Sequence, residues 1–414
     1  MSLITQIFAP ILAFFQLSLA VLGFQPIKQQ QQPPSAGAPV NILLTGLLGY
    51  GEDAGLTAAF PYFGPQVGEL KALGHACYVP GIGPFSSAWD RACELYAELT
   101  GTRVDYGEAH SKQYGHERYG RDFSKPLLEG WGAEQKINLI GHSFGGTTAR
   151  IFAMLCDEGS EAERAATPQA ERSPLFDGGL LEGINAIVTL ATPHNGTTVA
   201  VAMPEDYSEL EFLWLMGLLE IFGNSRYISR VYDLQLDHFR ISAPPRAFGQ
   251  AREGWYKLSD VRRFVQSRDH ALYDLSLEGA AKLNAADKIR PGVKYLSYSA
   301  SVTGDVLGAQ VPTGQVNVFL WPFAVQMGLG WGRQAPPSPE WRENDGAIPL
   351  PSALYPQGQP HRDAPAEGPV APGAWNVMPT VYGVDHSYLA SGDVQRRHSQ
   401  ELLELYLDML ERVN

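Results

Sequence analysis

Cysteine is scarce in this chain: Cys77, Cys93 and Cys156 are the three among 414 residues. They allow at most one intramolecular disulfide, which excludes a disulfide-stapled scaffold. No Cys-x-x-Cys pair is present, so neither a thiol redox centre nor a zinc-thiolate site is indicated. Positive charge is also short. Thirty-one Lys and Arg against 44 Asp and Glu leave a net charge of −13, which argues against nucleic acid as a partner and against electrostatic docking on anionic membranes. The balance says nothing against an uncharged lipid or ester. No internal repeat is visible, and no obligate protein partner is implied.

Charged side chains are missing before Lys28, and residues 7–24 are almost wholly apolar. Residues 1–23 read as a secretory signal peptide, with Ser18, Ala20 or Gly23 as small residues near a cleavage point. The absent basic flank leaves a retained membrane anchor as the alternative. The polar, proline-containing run 24–39 reads as a flexible linker, so the folded domain is expected over 40–414.

Within that domain, apolar runs alternate with helix-compatible stretches. "VNILLTGLLGYG" (40–51) reads as a buried strand running into a glycine-rich loop. Further strands are expected after Gly74, before Gly141, in "EGINAIVTLATPHNGT" (182–197) and in "GVKYLSYSASVTG" (292–304). The alternation predicts an α/β fold: a mostly parallel central sheet with helices on both faces, and active residues on the loops beyond the strand ends. Segments 334–340 and 355–375, rich in Pro and Gly, are expected to be surface loops.

The most informative stretch is "INLIGHSFGGTTARIF" (137–152). A strand that turns sharply into a helix strains the residue at the turn and requires small neighbours two before and two after it. Gly141-His142-Ser143-Phe144-Gly145 meets that requirement. Ser143 would stand exposed as a nucleophile, with the Phe144 N–H aimed at the same spot as an oxyanion donor. A serine needs a histidine to take its proton and an acid to orient that histidine, in the chain order serine, acid, histidine. Asp345 in "ENDG" and the late, loop-borne His386 in "VDHS" fit that order.

A second constellation lies upstream. His110 and His116 are six residues apart in a segment with little helix or strand pattern, and Asp90 heads a helix. Two neutral imidazoles with two carboxylates would form a closed tetrahedral zinc site, although this His spacing is looser than most zinc motifs. Within residues 205–223, the run Leu210–Phe222 is apolar on nearly all sides, with Glu211 and Glu220 as its only charges. Such a helix lies deep in a core or covers an apolar surface that is sometimes exposed; the second reading, a mobile lid, is preferred.

The segments "SSAWDRACELYAEL", "VDYGEAH", "GHERYGR", "GHSFGGTTAR", "SPLFDGG", "LATPHNGTT", "ENDG" and "VDH" together resemble the thermoalkalophilic lipases of Bacillus and Geobacillus and their staphylococcal relatives. The resemblance runs from about Val40 to the C-terminus, and it implies the α/β-hydrolase fold. It also implies a Ser143, Asp345, His386 triad, a zinc-binding insertion over 84–125 and a lid or cap region over 201–250. The family's zinc ligands fall on Asp90, His110, His116 and, through a Tyr-Asp-x-x-Leu-Asp run, Asp237.

Three departures stand out. The family's oxyanion loop is here Thr45-Gly46-Leu47, without its usual histidine, which makes Leu47 the first oxyanion donor and Phe144 the second. Phe144 replaces the usual Gln or Met. Tyr388 and Val394 replace two residues at the family's calcium site while Asp393 remains, so calcium is not expected. The implied activity is hydrolysis of triacylglycerols or similar water-insoluble esters at a lipid–water interface. The rivals are a carboxylesterase or polyesterase with the same triad, and a catalytically dead binding protein on the same scaffold.

Overall fold

In this computed structural model the described residues are 37–58, 60–200, 232–241, 258–392 and 399–414. The expected signal peptide, residues 24–36 of the linker, Asp393, the apolar run 205–223 and most of the expected cap lie outside them. Among the described residues, no helix is long and apolar enough to cross a membrane.

Strands buried on both faces must satisfy their backbone in a ladder, and continuous Val/Ile/Leu runs supply such strands. Val40–Leu44 (β1) and Ile137–His142 (β3) are buried along their whole length. With Cys77–Tyr78 (β2), Ile184–Leu190 (β4), Lys294–Tyr298 (β5), His361–Asp363 (β6) and Trp375–Val377 (β7), they form one seven-stranded sheet in the order β6-β7-β5-β4-β3-β1-β2. Every pairing is parallel. β6 falls inside the 355–375 segment expected to be a loop. It is a three-residue, exposed edge strand of His, Arg and Asp, with no apolar pattern to betray it.

Alternate residues feed two cores. Ile42, Leu44, Leu139 and Ile187 pack with Leu95 and Leu99 of helix Ala88–Thr100 (α2) and with Ile151 and Phe152 of helix Phe144–Glu158 (α4). Leu43, Ile140, Val188 and Leu296 point the other way, onto Leu70 of helix Gln66–Ala72 (α1) and Leu402, Tyr406 and Met409 of helix Ser399–Val413 (α5). This period of two, with helices on both faces, is the expected α/β layering.

The chain leaves β1 toward β2 and then returns to place β3 on the other side. The switch in direction falls between β1 and β3, where open parallel sheets leave a crevice beyond the strand ends. Their register sets Leu44 beside Gly141, so the loop after β1 and the turn after β3 emerge side by side.

The segment 84–125, expected to be a zinc-binding insertion, is more regular than its sequence suggests. Arg103–Asp105 pairs antiparallel with Tyr119–Asp122, and between them Glu108–Tyr114 is a helix (α3). Seven residues are too few to show periodicity. Tertiary contacts stabilise this helix: the Glu163 carboxylate accepts from the Ala109 and His110 amides, 2.9 and 2.7 Å away.

Candidate active site and metal centre

Ser143 stands between β3 and α4 with φ 55° and ψ −128°, a strained conformation for a side-chain-bearing residue. The flanking glycines explain how the chain passes. A Cβ on Gly141 would sit 2.3 Å from the Gly146 nitrogen, on Gly145 2.1 Å from the Leu44 oxygen, and on Gly146 2.0 Å from Thr192 Oγ1. Each glycine is required by a close approach, the first two to backbone that cannot move aside.

Asp345 and His386 meet across the site. His386 Nδ1 lies 2.7 Å from Asp345 Oδ2, and the His386 backbone N–H donates to the Asp345 carbonyl at 2.8 Å. The other carboxylate oxygen, Oδ1, accepts from the Ala347 and Ile348 amides at 2.9 and 2.7 Å. Asp345 is thereby fixed as a buried acceptor facing one imidazole nitrogen. Burial alone would lower the His386 pKa, but the Asp345 charge and hydrogen bond, with Asp385 adding to them, outweigh it and raise it above the ordinary histidine value. The His386 ring lies 4.8 Å, centre to centre, from the ring of His142, the residue before Ser143.

The loop Thr45–Leu47 runs past the serine. A Cβ on Gly46 would lie 3.1 Å from Ser143 Oγ. The fully buried Arg91 holds this loop by its carbonyls, donating to Thr45 O, to Gly46 O at 3.3 Å and to Gly83 O at 3.3 Å. The same guanidinium sits 5.2 Å from the centre of the Phe144 ring, so that buried side chain packs against the arginine that holds the loop. Among the described residues, neither the Leu47 nor the Phe144 amide has a hydrogen-bond acceptor.

One residue before Arg91 on α2, Asp90 faces a separate cluster. Ligand atoms of Asp90, His110, His116 and Asp269 all lie within 4.8 Å of one another. His110 Nε2 is 3.2 Å from Asp90 Oδ1 and 3.1 Å from Asp269 Oδ2, and His116 Nε2 is 3.1 Å from Asp269 Oδ2. Yet Asp90 Oδ1 and His116 Nε2, both buried, make no hydrogen bond of acceptable geometry. Burial works against a charged His110, but Asp269 and Asp90 overcome it and push its pKa up to about 10. Two buried carboxylates thus call for positive charge at their centre, and a cation held by the four side chains would supply it.

Compared with known proteins, residues 37–413 match the sequence model of the family described as "Lipase-like, C-terminal domain". The chain belongs to this lipase family. It is 32% identical over 400 residues to "Lipase 2" of Staphylococcus aureus, covering 93% of this chain and 55% of that protein. The chain therefore spans about half the length of the curated relatives it matches. Among solved structures it is similar to Staphylococcus hyicus lipase, with TM-score 0.78, 29% identity, and 92% of this chain and 97% of that one covered. It is also similar to EstA from Clostridium botulinum, with TM-score 0.71, 32% identity and coverages of 94% and 92%.

Within the lipase family frame, one expected residue is misplaced. Asp237 is not in the metal cluster; its carboxylate lies 3.3 Å from Arg121, which also pairs with Asp233 at 2.7 Å. Asp269 takes the fourth position. The sequence carries the Tyr-Asp-x-x-Leu pattern twice, at Tyr232–Leu236 and at Tyr273–Leu277, and Asp269 lies just before the second copy. His238 was also missed. Its Nε2 lies 3.0 Å from Asp90 Oδ2, and its buried Nδ1 has no partner among the described residues. A histidine donating to the outer oxygen of a ligating carboxylate fixes the inner oxygen toward the ion.

Proposed function

We propose that this protein is a serine ester hydrolase of lipase type, acting on triacylglycerols or similar water-insoluble esters. The observation that carries the reading is the strained Ser143, hemmed by glycines that cannot bear a side chain, beside an Asp345–His386 pair oriented as a base. Asp345 engages Nδ1 of His386, which leaves Nε2 as the basic atom. In the reaction, His386 accepts the Ser143 proton as the oxygen attacks the ester carbonyl, then returns it to the leaving alcohol. Water, activated the same way, releases the acyl group. The Leu47 and Phe144 amides face the developing oxyanion, a contribution on the order of 3 kcal/mol for each donor.

Asp90, His110, His116 and Asp269 would hold a zinc ion. Four protein ligands would leave no open position, so the ion would be structural, joining α2 and α3 to the segment after Ser267 and neutralising the buried Asp90 and Asp269 carboxylates.

Hydrolysis rate measured against acyl length, below and above each ester's solubility limit, tests the reading. Turnover of long-chain esters, rising once droplets form, is the expected result. Turnover confined to short soluble esters would make the protein a carboxylesterase with the same site, and no turnover of any ester would overturn the assignment.

A further inference from the structure

We infer that Tyr62 and His142 are positioning residues for this reaction: their side chains form one hydrogen-bonded chain that joins Gly46 of the oxyanion loop to the backbone of His386. The inference rests on the Ser143, Asp345, His386 reading above and assigns a role to two residues that the reading leaves unused. The Gly46 N–H lies 2.8 Å from Tyr62 Oη, Tyr62 Oη lies 2.8 Å from His142 Nδ1, and His142 Nε2 lies 2.9 Å from the His386 carbonyl oxygen.

Donor and acceptor roles along this chain follow from counting protons. The Gly46 amide can only donate, so the Tyr62 oxygen accepts from it. Tyr62 then has its own proton to give, and His142 Nδ1 receives it. His142 must therefore carry its proton on Nε2, where the His386 carbonyl accepts it. The chain closes in one direction without an unsatisfied atom. Its members hold the protonation states this requires. Burial pushes the Tyr62 hydroxyl up to about 12, so it keeps its proton, and burial together with the nearby His386 lowers His142 to about 3, so that ring stays neutral.

Position makes the chain useful. Arg91 grips the oxyanion loop by the Thr45 and Gly46 carbonyls, and Tyr62 grips it by the Gly46 amide, one residue before Leu47, whose amide the proposed reading assigns to the oxyanion. The fit is close: a Cβ on Gly46 would stand 2.7 Å from both Tyr62 Oη and Ser143 Cβ. At the other end, His386 is held by its carbonyl through His142, by its amide through the Asp345 carbonyl and by its ring through the Asp345 carboxylate. One tyrosine hydroxyl thus ties the group that stabilises the oxyanion to the group that moves the proton. Tyr62 reaches this loop from 16 residues down the chain.

The test uses Tyr62→Phe, His142→Leu and the double variant on a soluble short-chain nitrophenyl ester. Active sites are counted by fluorophosphonate titration, so unfolded molecules drop out of the rate. Each single variant is expected to lose about tenfold or more in kcat with KM little changed, since oxyanion geometry matters more in the transition state than in the ground state. The double variant is expected to lose no more than the worse single, because links of one chain are not additive. A purely structural role would show in melting temperature and in the titrated fraction, leaving kcat per site intact. Tyr62→Phe with kcat within twofold of the unaltered protein, or losses that multiply in the double variant, would overturn the inference. If the unaltered protein neither turns over the ester nor takes up the fluorophosphonate, the reading of Ser143 itself fails and this inference falls with it.

Discussion

Replacing Asp345 with Asn changes one oxygen for one NH2 group, and the structure dictates which way the amide must face. Oδ1 accepts from two backbone amides, Ala347 and Ile348, so an amide nitrogen there would confront two donors. The Asn oxygen therefore keeps that position and the NH2 group takes the place of Oδ2, 2.7 Å from His386 Nδ1. Nδ1 must then accept, the ring proton moves to Nε2, and the nitrogen that should take the Ser143 proton has none of its lone pair free. A histidine held in the wrong tautomer costs about 10⁴-fold in rate, equivalent to about 5.5 kcal/mol of transition-state stabilisation. The acid limb of the pH profile should move as well. In the unaltered protein the Asp345 charge outweighs burial and holds the His386 pKa above its ordinary value; without that charge burial prevails and the limb shifts to lower pH. Steady-state kcat/KM on a soluble ester from about pH 5 to 10, with the histidine reference near ~6.5, reads both effects. A variant that retains more than a tenth of the activity at about pH 8, or an acid limb that stays where it was, would refute the reasoning.

Gly145→Ala forces a Cβ to 2.1 Å from the Leu44 carbonyl oxygen, so it should destabilise the fold by about 3 kcal/mol or more in urea titration; a cost under about 0.5 kcal/mol would mean the elbow is not so tightly closed. Asp269→Asn should reduce the bound metal measured by elemental analysis to a small fraction of an equivalent and lower the melting temperature, whereas Asp237→Asn, at a carboxylate that pairs with Arg121, should leave the metal content unchanged; the opposite pattern would restore Asp237 as the ligand. His142, held neutral with its pKa lowered to about 3, is protonated more readily in the unfolded chain, so it removes stability as pH falls from ~6.5 toward that value, by about 1.4 kcal/mol per pH unit. His142→Leu should lose that slope between about pH 6 and 4, and denaturation curves of equal steepness in pH for both proteins would contradict it.

The parts legible in the sequence were those whose physics is local. The elbow could be read because a strand turning into a helix needs glycine at fixed offsets, and Gly141, Gly145 and Gly146 each meet backbone or Thr192 at contact distance. The buried strands could be read from unbroken apolar runs such as Val40–Leu44. Asp345 and His386 are expected together from chain order, loop placement and the family resemblance, and their side chains lie 2.7 Å apart. What escaped depends on long-range closure. Asp269 reaches His110 across 159 residues, and the Tyr-Asp-x-x-Leu-Asp pattern pointed instead to Asp237, whereas Asp269 lies outside both copies of Tyr-Asp-x-x-Leu. The exposed strand His361–Asp363 and the short helix Glu108–Tyr114 draw their regularity from neighbours, an adjoining strand and the Glu163 carboxylate. Tyr62 is one of 18 tyrosines, and nothing in its surrounding sequence distinguishes it until the fold sets it between Gly46 and His142.

The central claim is that Ser143 is a nucleophile activated by His386. Reaction with a fluorophosphonate, followed by intact-mass analysis and peptide mapping, tests it most directly. One adduct per molecule is expected, on Ser143, with none in Ser143→Ala and labelling slowed by orders of magnitude in His386→Ala. A folded protein that takes up no label, or that is labelled at another residue, would contradict it.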